Sequence, residues 1–248
     1  MASTRLPGKV LRPLAGEPML WHVVERARRA QGLDHVIVAT SSTAADEPIR
    51  SFCYRRGIAV FAGSENDVLD RYCRAATEFG ADPVVRITAD CPLIDPDVID
   101  RALSLYRTGR YDYVASAAGA VGRLFDGGRY PDGLSVEICS LMALSRAQQE
   151  AHEPSDREHV TPYLWQVPGR FRVGVVCPPT DLSHFRLTVD YEEDFELVSR
   201  LYAALSSDGR PFFGLDEVVA YLEDHPELAA INSERAAAVV LLERREAA

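Results

Sequence analysis

The stretch PVVRITADCPLIDPDVIDRALSLYRT, residues 83–108, decides the fold. Its first eight residues are apolar and β-rich and end on Asp90. Asp95-Pro96 then opens a segment whose apolar residues recur at helical spacing until Gly109. An Asp-Pro start and a glycine stop are the marks of a capped helix. The same unit recurs on either side. HVIVAT (35–40), IAVF (58–61) and YDYVASA (111–117) read as strands. Pro18 opens MLWHVVERARRA, and Asn66 caps DVLDRYCRAATEF, which stops at Gly80. Strand and helix in alternation predict an α/β chain with a mostly parallel, mixed sheet and helices on both faces.

Further along, LSVEICS (134–140), FRVGVVC (171–177) and FRLTVD (185–190) read as three more strands. Ser155 and Glu158 have the spacing of a capping box at the start of another helix. Residues 1–206 form the expected main domain. After a break at Gly209-Arg210-Pro211, residues 207–248 form a small helical appendage, of which 234–248 read as a solvated helix. The glycine-rich stretch 119–130 reads equally as a loop over a ligand and as a surface connection.

Of 248 residues 47% are hydrophobic and 26% charged, a globular balance. A chain of this length buries about 70–75% of its unfolded surface, so it needs no cross-link to hold a core. The net charge is 27 − 37 = −10, which argues against broad binding to nucleic acid or to an anionic membrane. The longest aliphatic run, 236–242, is far short of the about 20 residues that span a bilayer. The opening MASTRLPGK lacks the pattern of a secretory signal. Five scattered cysteines, without a C-x-x-C pair, fit reduced thiols and a cytoplasmic protein. Cys91 reads as a structural thiol.

One internal echo matters more than any of these. Arg86-Ile-Thr-Ala-Asp90 and Arg186-Leu-Thr-Val-Asp190 share the pattern R-[IL]-T-[AV]-D. On a strand, alternate side chains share a face, so Arg, Thr and Asp of each copy point the same way. Each aspartate closes its strand, where open α/β sheets bind ligands. Either aspartate alone would serve as a turn or helix cap. The matched pair points instead to an oxygen-only site for Mg²⁺, completed by water and phosphate oxygens.

Three other features carry possible chemistry. Ala2-Ser-Thr-Arg-Leu-Pro-Gly-Lys9 combines small residues with Arg5 and Lys9, as a phosphate cradle would, although it is not a Walker loop and a disordered basic terminus is the alternative. Lys9 is the single lysine beside 26 arginines, and an ammonium is not equivalent to a guanidinium fork. The loop GSENDVLDR (63–71) offers Ser64 and backbone amides to a base or ribose, or is simply a well-capped helix start. His159 and His184 are lone histidines, and no two histidines have metal-ligand spacing.

STRLPGK (3–9), GSENDVLDRY (63–72), RITADCPLIDP (86–96), REHVTPY (157–163) and DLSHFRLTVDYEEDFE (181–196) together resemble the spore coat polysaccharide biosynthesis protein F family of cytidylyltransferase-like proteins. That family is similar to CMP-sugar synthetases such as the one that activates 3-deoxy-manno-octulosonate. The resemblance, in order from Ala2 to about Asn232, implies a Rossmann-like, glycosyltransferase-A-type nucleotidyltransferase fold. It implies transfer of CMP from CTP to a sugar or sugar acid, with release of pyrophosphate, for surface polysaccharide. It places Ala2, Ser3, Arg5 and Lys9 on the nucleotide phosphates, and Asp90 and Asp190 on Mg²⁺. Ser64, Asp67 and Arg71 fall in the base and ribose region, and Arg129, His159 and Arg186 on the acceptor side. It also implies a homodimer. Members of the family carry an apolar strand ending in Gln-Ala-Arg just before the segment that opens this sequence. The expectation is therefore a true start some ten residues upstream of Met1. Two other functions fit the same fold. One is a glycosyltransferase using a nucleotide sugar, for which Asp95-Pro-Asp97 would be the metal motif. The other is a catalytically decayed nucleotide-binding protein.

Overall fold

The structure, a computed structural model, describes residues 5–122, 127–206 and 212–235. A 3₁₀ turn at Lys9–Leu11 leads into a small hairpin, β1 (Pro13–Leu14) and β2 (Glu17–Pro18), and then α1 (Met19–Ala27). There follow β3 (Ile37–Ser41), α2 (Glu47–Arg56), β4 (Ala59–Gly63), α3 (Val68–Phe79), β5 (Val84–Arg86) and α4 (Pro96–Tyr106). Next come β6 (Tyr113–Ser116), α5 (Gly119–Gly122), β7 (Glu137–Cys139), α6 (Leu141–Glu150), α7 (Pro154–His159), α8 (Pro162–Trp165) and β8 (Val173–Val176). The chain closes with α9 (Glu192–Leu205), α10 (Leu215–Asp224) and α11 (Pro226–Ala229).

The strands form two sheets besides the hairpin. β3 pairs with β4 in parallel, from Ile37 opposite Ala59 to Ser41 opposite Gly63. The second sheet has the order β5-β7-β6-β8. β7 runs antiparallel to both its neighbours, while β6 and β8 are parallel. The α/β class and the expected mixed sheet stand, and the mixture comes from β7, which enters reversed.

Side-chain alternation divides the four-stranded sheet between two cores. Val114 and Ile138 face α1, α4 and α9. Tyr113, Ala115 and Cys139 face α3 and α6. A third cluster, Leu20, Val24, Ile49, Phe52 and Ile58, lies between α1, α2 and the β3–β4 pair. Helices therefore cover both faces of the four-stranded sheet.

Phe213, Leu215, Val218, Leu222 and Leu228 belong to the same core as α4 and α9. Arg26, nearly fully buried, donates from Nε to the Ile94 carbonyl (2.7 Å) and from Nη2 to the Phe213 carbonyl (3.0 Å). Asp95 accepts from the Leu215 amide at 2.7 Å. Residues 212–235 are thus tied to the body by apolar packing and buried polar bonds. The break at 209–211, residues 123–126 of the glycine-rich stretch and the 236–248 part of the final segment lie outside the described residues.

Several local expectations are corrected. FRLTVD is extended but is not a strand. One isolated bridge, Asp132 to Arg186, is its only ladder contact among the described residues. Pro18 is the residue before α1 rather than its first turn, with ψ at 143°. The cap of α3 is Asp67, not Asn66, and its side chain accepts from the Asp70 amide. No capping box forms at Ser155, because α7 already starts at Pro154 with Glu153 before it. Val160 at φ 74° then ends α7, and Pro162 starts the separate α8.

Candidate active site

The two echoed aspartates meet. Lys9 Nζ lies 3.1 Å from Asp90 Oδ2, 2.8 Å from Asp190 Oδ1 and 2.7 Å from the Val189 carbonyl. The backbone explains how carboxylates a hundred residues apart converge. Gly133 has φ 105°, and a Cβ there would lie 2.4 Å from the Thr188 nitrogen, so only glycine lets residues 187–188 pass this close. The Leu187 amide then donates to the Asp132 carbonyl (2.7 Å), and the Val189 amide to the Asp90 carbonyl (2.8 Å). Residues 185–190 therefore lie directly against the end of the 84–90 segment. On the other side, Gly8 at φ 70° turns the chain so that Lys9 can begin its 3₁₀ turn.

A second set of contacts fixes Asp190 alone. Arg186, only 5% exposed, donates to Asp132 (2.9 Å), to Asp190 Oδ2 (3.2 Å) and twice to Asp194 (3.0 and 3.2 Å). Asp194 is fully buried. It also accepts from the amides of Asp190 (2.9 Å) and Tyr191 (3.0 Å) and from Asn232 Nδ2 (2.8 Å). As the third residue of α9 it closes a box on the Tyr191 cap and also holds the amide of Asp190, two residues before the helix, whose carboxylate faces Lys9. Arg5, half exposed, adds a bond of 3.1 Å to Asp190 Oδ1.

The local charge is close to balanced: four carboxylates (Asp90, Asp132, Asp190, Asp194) against three cations (Arg5, Lys9, Arg186) leave −1. Burial pushes the Asp90 carboxyl up, but the Lys9 ammonium and the Thr88 hydroxyl outweigh it, so the group lies below its ordinary range. Both aspartates present an oxygen to one cationic nitrogen, which shows that the pair can hold positive charge between them. No group of three or more Asp, Glu, His or Cys suited to a metal occurs among the described residues. A hard divalent ion held here would take two carboxylates from the protein and the rest of its shell from water and phosphate oxygens, the habit of Mg²⁺.

The other sequence-derived residues lie in different settings. Ala2 and Ser3 fall outside the described residues. Ser64 Oγ accepts from the Asp67 amide (3.0 Å), and Arg71 Nη1 donates to the Ser64 carbonyl (2.6 Å). Asp67 pairs with Arg157. This loop is held mainly by its own contacts. Arg129 lies 3.7 Å from Asp181, and its carbonyl accepts from Leu182. His159 is exposed at the end of α7, and His184 is exposed with its ring against Phe185. Of the three acceptor-side candidates only Arg186 lies at the aspartate pair, and there it is enclosed by carboxylates. Asp95 caps α4 and binds the Leu215 amide, so Asp95-Pro-Asp97 is a helix start, not a metal motif. Burial and the neighbouring Asp90 push the Cys91 thiol well up, in keeping with a structural role.

Sequence reasoning missed Asp194, Asn232 and Asp132. Asp194 had a readable signal, an acidic residue three past a helix start. Asn232 and Asp132 had none, since their roles depend on long-range packing.

The carboxylates at the ends of the 84–90 and 185–190 segments, bridged by a lone lysine from a small basic turn, sit in a Rossmann-like fold of the nucleotidyltransferase type. The chain belongs to the cytidylyltransferase family, whose profile matches residues 1–235. It is 34% identical over 236 residues to an uncharacterized protein of Methanocaldococcus jannaschii, covering 93% of this chain and 90% of that one. It is 32% identical over 240 residues to the spore coat polysaccharide biosynthesis protein SpsF of Bacillus subtilis, covering 92% and 93%. Among solved structures, a cytidylyltransferase from Leptospira borgpetersenii superposes with a TM-score of 0.82 at 29% identity, over 92% of each chain.

Proposed function

We propose that this protein transfers CMP from CTP to a hydroxyl of a sugar or sugar acid, releasing pyrophosphate, in the assembly of a surface polysaccharide. The observation that carries the reading is the convergence of Asp90 and Asp190 on Lys9 Nζ, with Arg5 beside them. An acceptor oxygen attacks the α-phosphorus, the bond between the α- and β-phosphates breaks, and pyrophosphate leaves. Such displacements depend on positioning and on neutralising charge, not on covalent help from the protein. Lys9 and Arg5 offset the charge gathering on the departing pyrophosphate. Arg186, Asp194 and Asn232 hold Asp190 in place.

Asp90 and Asp190 are the residues that would hold Mg²⁺. The ion supplies charge neutralisation at the phosphates and lowers the pKa of the acceptor hydroxyl. The SpsF name supports a polysaccharide pathway. No helix among the described residues is long and apolar enough to cross a membrane, and we place the reaction in the cytoplasm, where CTP is made. Pyrophosphate release measured with each of four nucleoside triphosphates against a panel of sugar acids tests the reading. Release is expected with CTP only, dependent on one acceptor, abolished by a chelator and restored by Mg²⁺. Release with a different triphosphate, or none with any acceptor, would reject it.

A further inference from the structure

A lysine ammonium has three N–H donors. Those of Lys9 are all engaged at the aspartate pair, on Asp90 Oδ2 (3.1 Å), Asp190 Oδ1 (2.8 Å) and the Val189 carbonyl (2.7 Å). None is left for a phosphate oxygen. The pair is committed in turn. Asp90 Oδ2 and Asp190 Oδ1 take Lys9, and Asp190 Oδ2 takes Arg186 at 3.2 Å. The remaining oxygen, Asp90 Oδ1, faces the Cys91 thiol at 3.6 Å. A lysine that serves phosphates and a carboxylate pair that serves a divalent ion therefore call on the same bonds.

The surroundings decide which bond gives way. Arg186 is nearly fully buried and also holds Asp132 and the enclosed Asp194, and a buried charge that loses its partner is costly. Lys9 is differently placed. Its three bonds all lie at the pair, and its charge rides on a flexible stem that starts at a short turn after Gly8. Asp90 opens the pair to solvent, with 28% of its side chain exposed. Mg²⁺ gives up water reluctantly, so by itself it is a weak rival to an ammonium held by three bonds. A triphosphate changes the balance twice. Its oxygens offer the ammonium new acceptors, and they supply the ion with ligands besides the carboxylates.

We propose that Lys9 and the divalent ion are alternative occupants of the Asp90–Asp190 pair, and that a triphosphate drives the exchange by drawing the ammonium onto its own oxygens. Metal and nucleotide then bind as one unit. Each raises the affinity of the other by the same factor, and the ion by itself binds poorly. The inference rests on the reading of the pair as a Mg²⁺ site and adds what fills it and when. It also accounts for the one lysine beside 26 arginines. A guanidinium fork grips carboxylates through two parallel bonds and would yield its place less readily than an ammonium.

Direct metal binding tests it without turnover. Mn²⁺ is titrated into the full chain with no nucleotide, and the free ion is followed by electron paramagnetic resonance. Lys9→Met should bind Mn²⁺ about tenfold or more tightly than the unsubstituted protein, because the pair is opened. The gain should vanish in Lys9→Met/Asp190→Asn. A second readout does not depend on the variant folding. Because Lys9 is the only lysine, protein carrying isotope-labelled lysine gives a single side-chain NMR signal. That signal should stay in place with Mg²⁺ alone and move when CTP is added with it. A signal moved by a different triphosphate would support the exchange while rejecting CTP as the donor, so the two failures remain separate. Three results would overturn the proposal: Mn²⁺ bound as tightly by the unsubstituted chain as by Lys9→Met, a gain that survives Asp190→Asn, or a lysine signal unmoved by Mg²⁺ with any of the four nucleoside triphosphates.

Discussion

The two copies of R-[IL]-T-[AV]-D use the same five letters for different work. In the first, Arg86 turns into the sheet and pairs with Glu137 on β7, which also accepts from Tyr113 (2.7 Å) and from Thr161. Burial and the adjoining Glu137 push the Tyr113 phenol well up, so it remains a donor. Asp90 is then left to Lys9 and its own turn. In the second copy, Arg186 reaches Asp190 itself, with Asp132 and Asp194 on either side. One arginine stabilises the sheet that bears its aspartate, and the other orients its aspartate directly. A sequence repeat therefore fixes where two carboxylates end up without fixing how they are held.

The sharpest way to break the pairing is Asp190→Asn. Turnover should fall by at least about a hundredfold, while Tm moves by no more than about 4 °C, the equivalent of about 1 kcal/mol. Pyrophosphate release and a thermal melt measure the two, and a fully active variant would remove Asp190 from the chemistry. Next comes the cation between the copies. Lys9→Arg keeps the charge but replaces a compact ammonium with a planar fork, and turnover should drop about tenfold or more.

The arginines separate the copies. Arg86→Met strands Glu137 in the interior and should cost about 3–5 kcal/mol by denaturant melt, with turnover per folded molecule nearly unchanged. Arg186→Met should cost a similar amount of stability, since it strands the buried Asp194, but in addition it should lower kcat per folded molecule about tenfold, with the KM for CTP within about twofold, because Arg186 also sets Asp190 directly. Equal effects of both variants on kcat would erase the distinction. The mildest test is Asn232→Ala, which removes a buried donor to Asp194 and should cost about 1–2 kcal/mol with a few-fold loss of turnover.

The class of fold was readable because periodicity changes cleanly from strand to helix in segments such as 83–108. The aspartate pair was readable because the echo put identical groups at two segment ends. The ties that set Asp190 were not, since Asn232 meets Asp194 only through packing of residues far apart in the chain. Local pattern misjudged 185–190. Its alternation is strand-like, yet Gly133 brings it beside Asp132 and Asp90 as a single extended layer rather than a ladder. Arg186 looked free for substrate because nothing nearby in sequence announces three carboxylates around it.

Asn232 has one more consequence, for the order of events at the ribosome. Its amide nitrogen bonds both Asp194 and the Arg186 carbonyl, so the clamp on Asp190 lacks a member until position 232 has left the exit tunnel. A nascent chain can fold its sheet early, yet its reaction centre stays unfinished until the segment that carries Asn232 has packed against it.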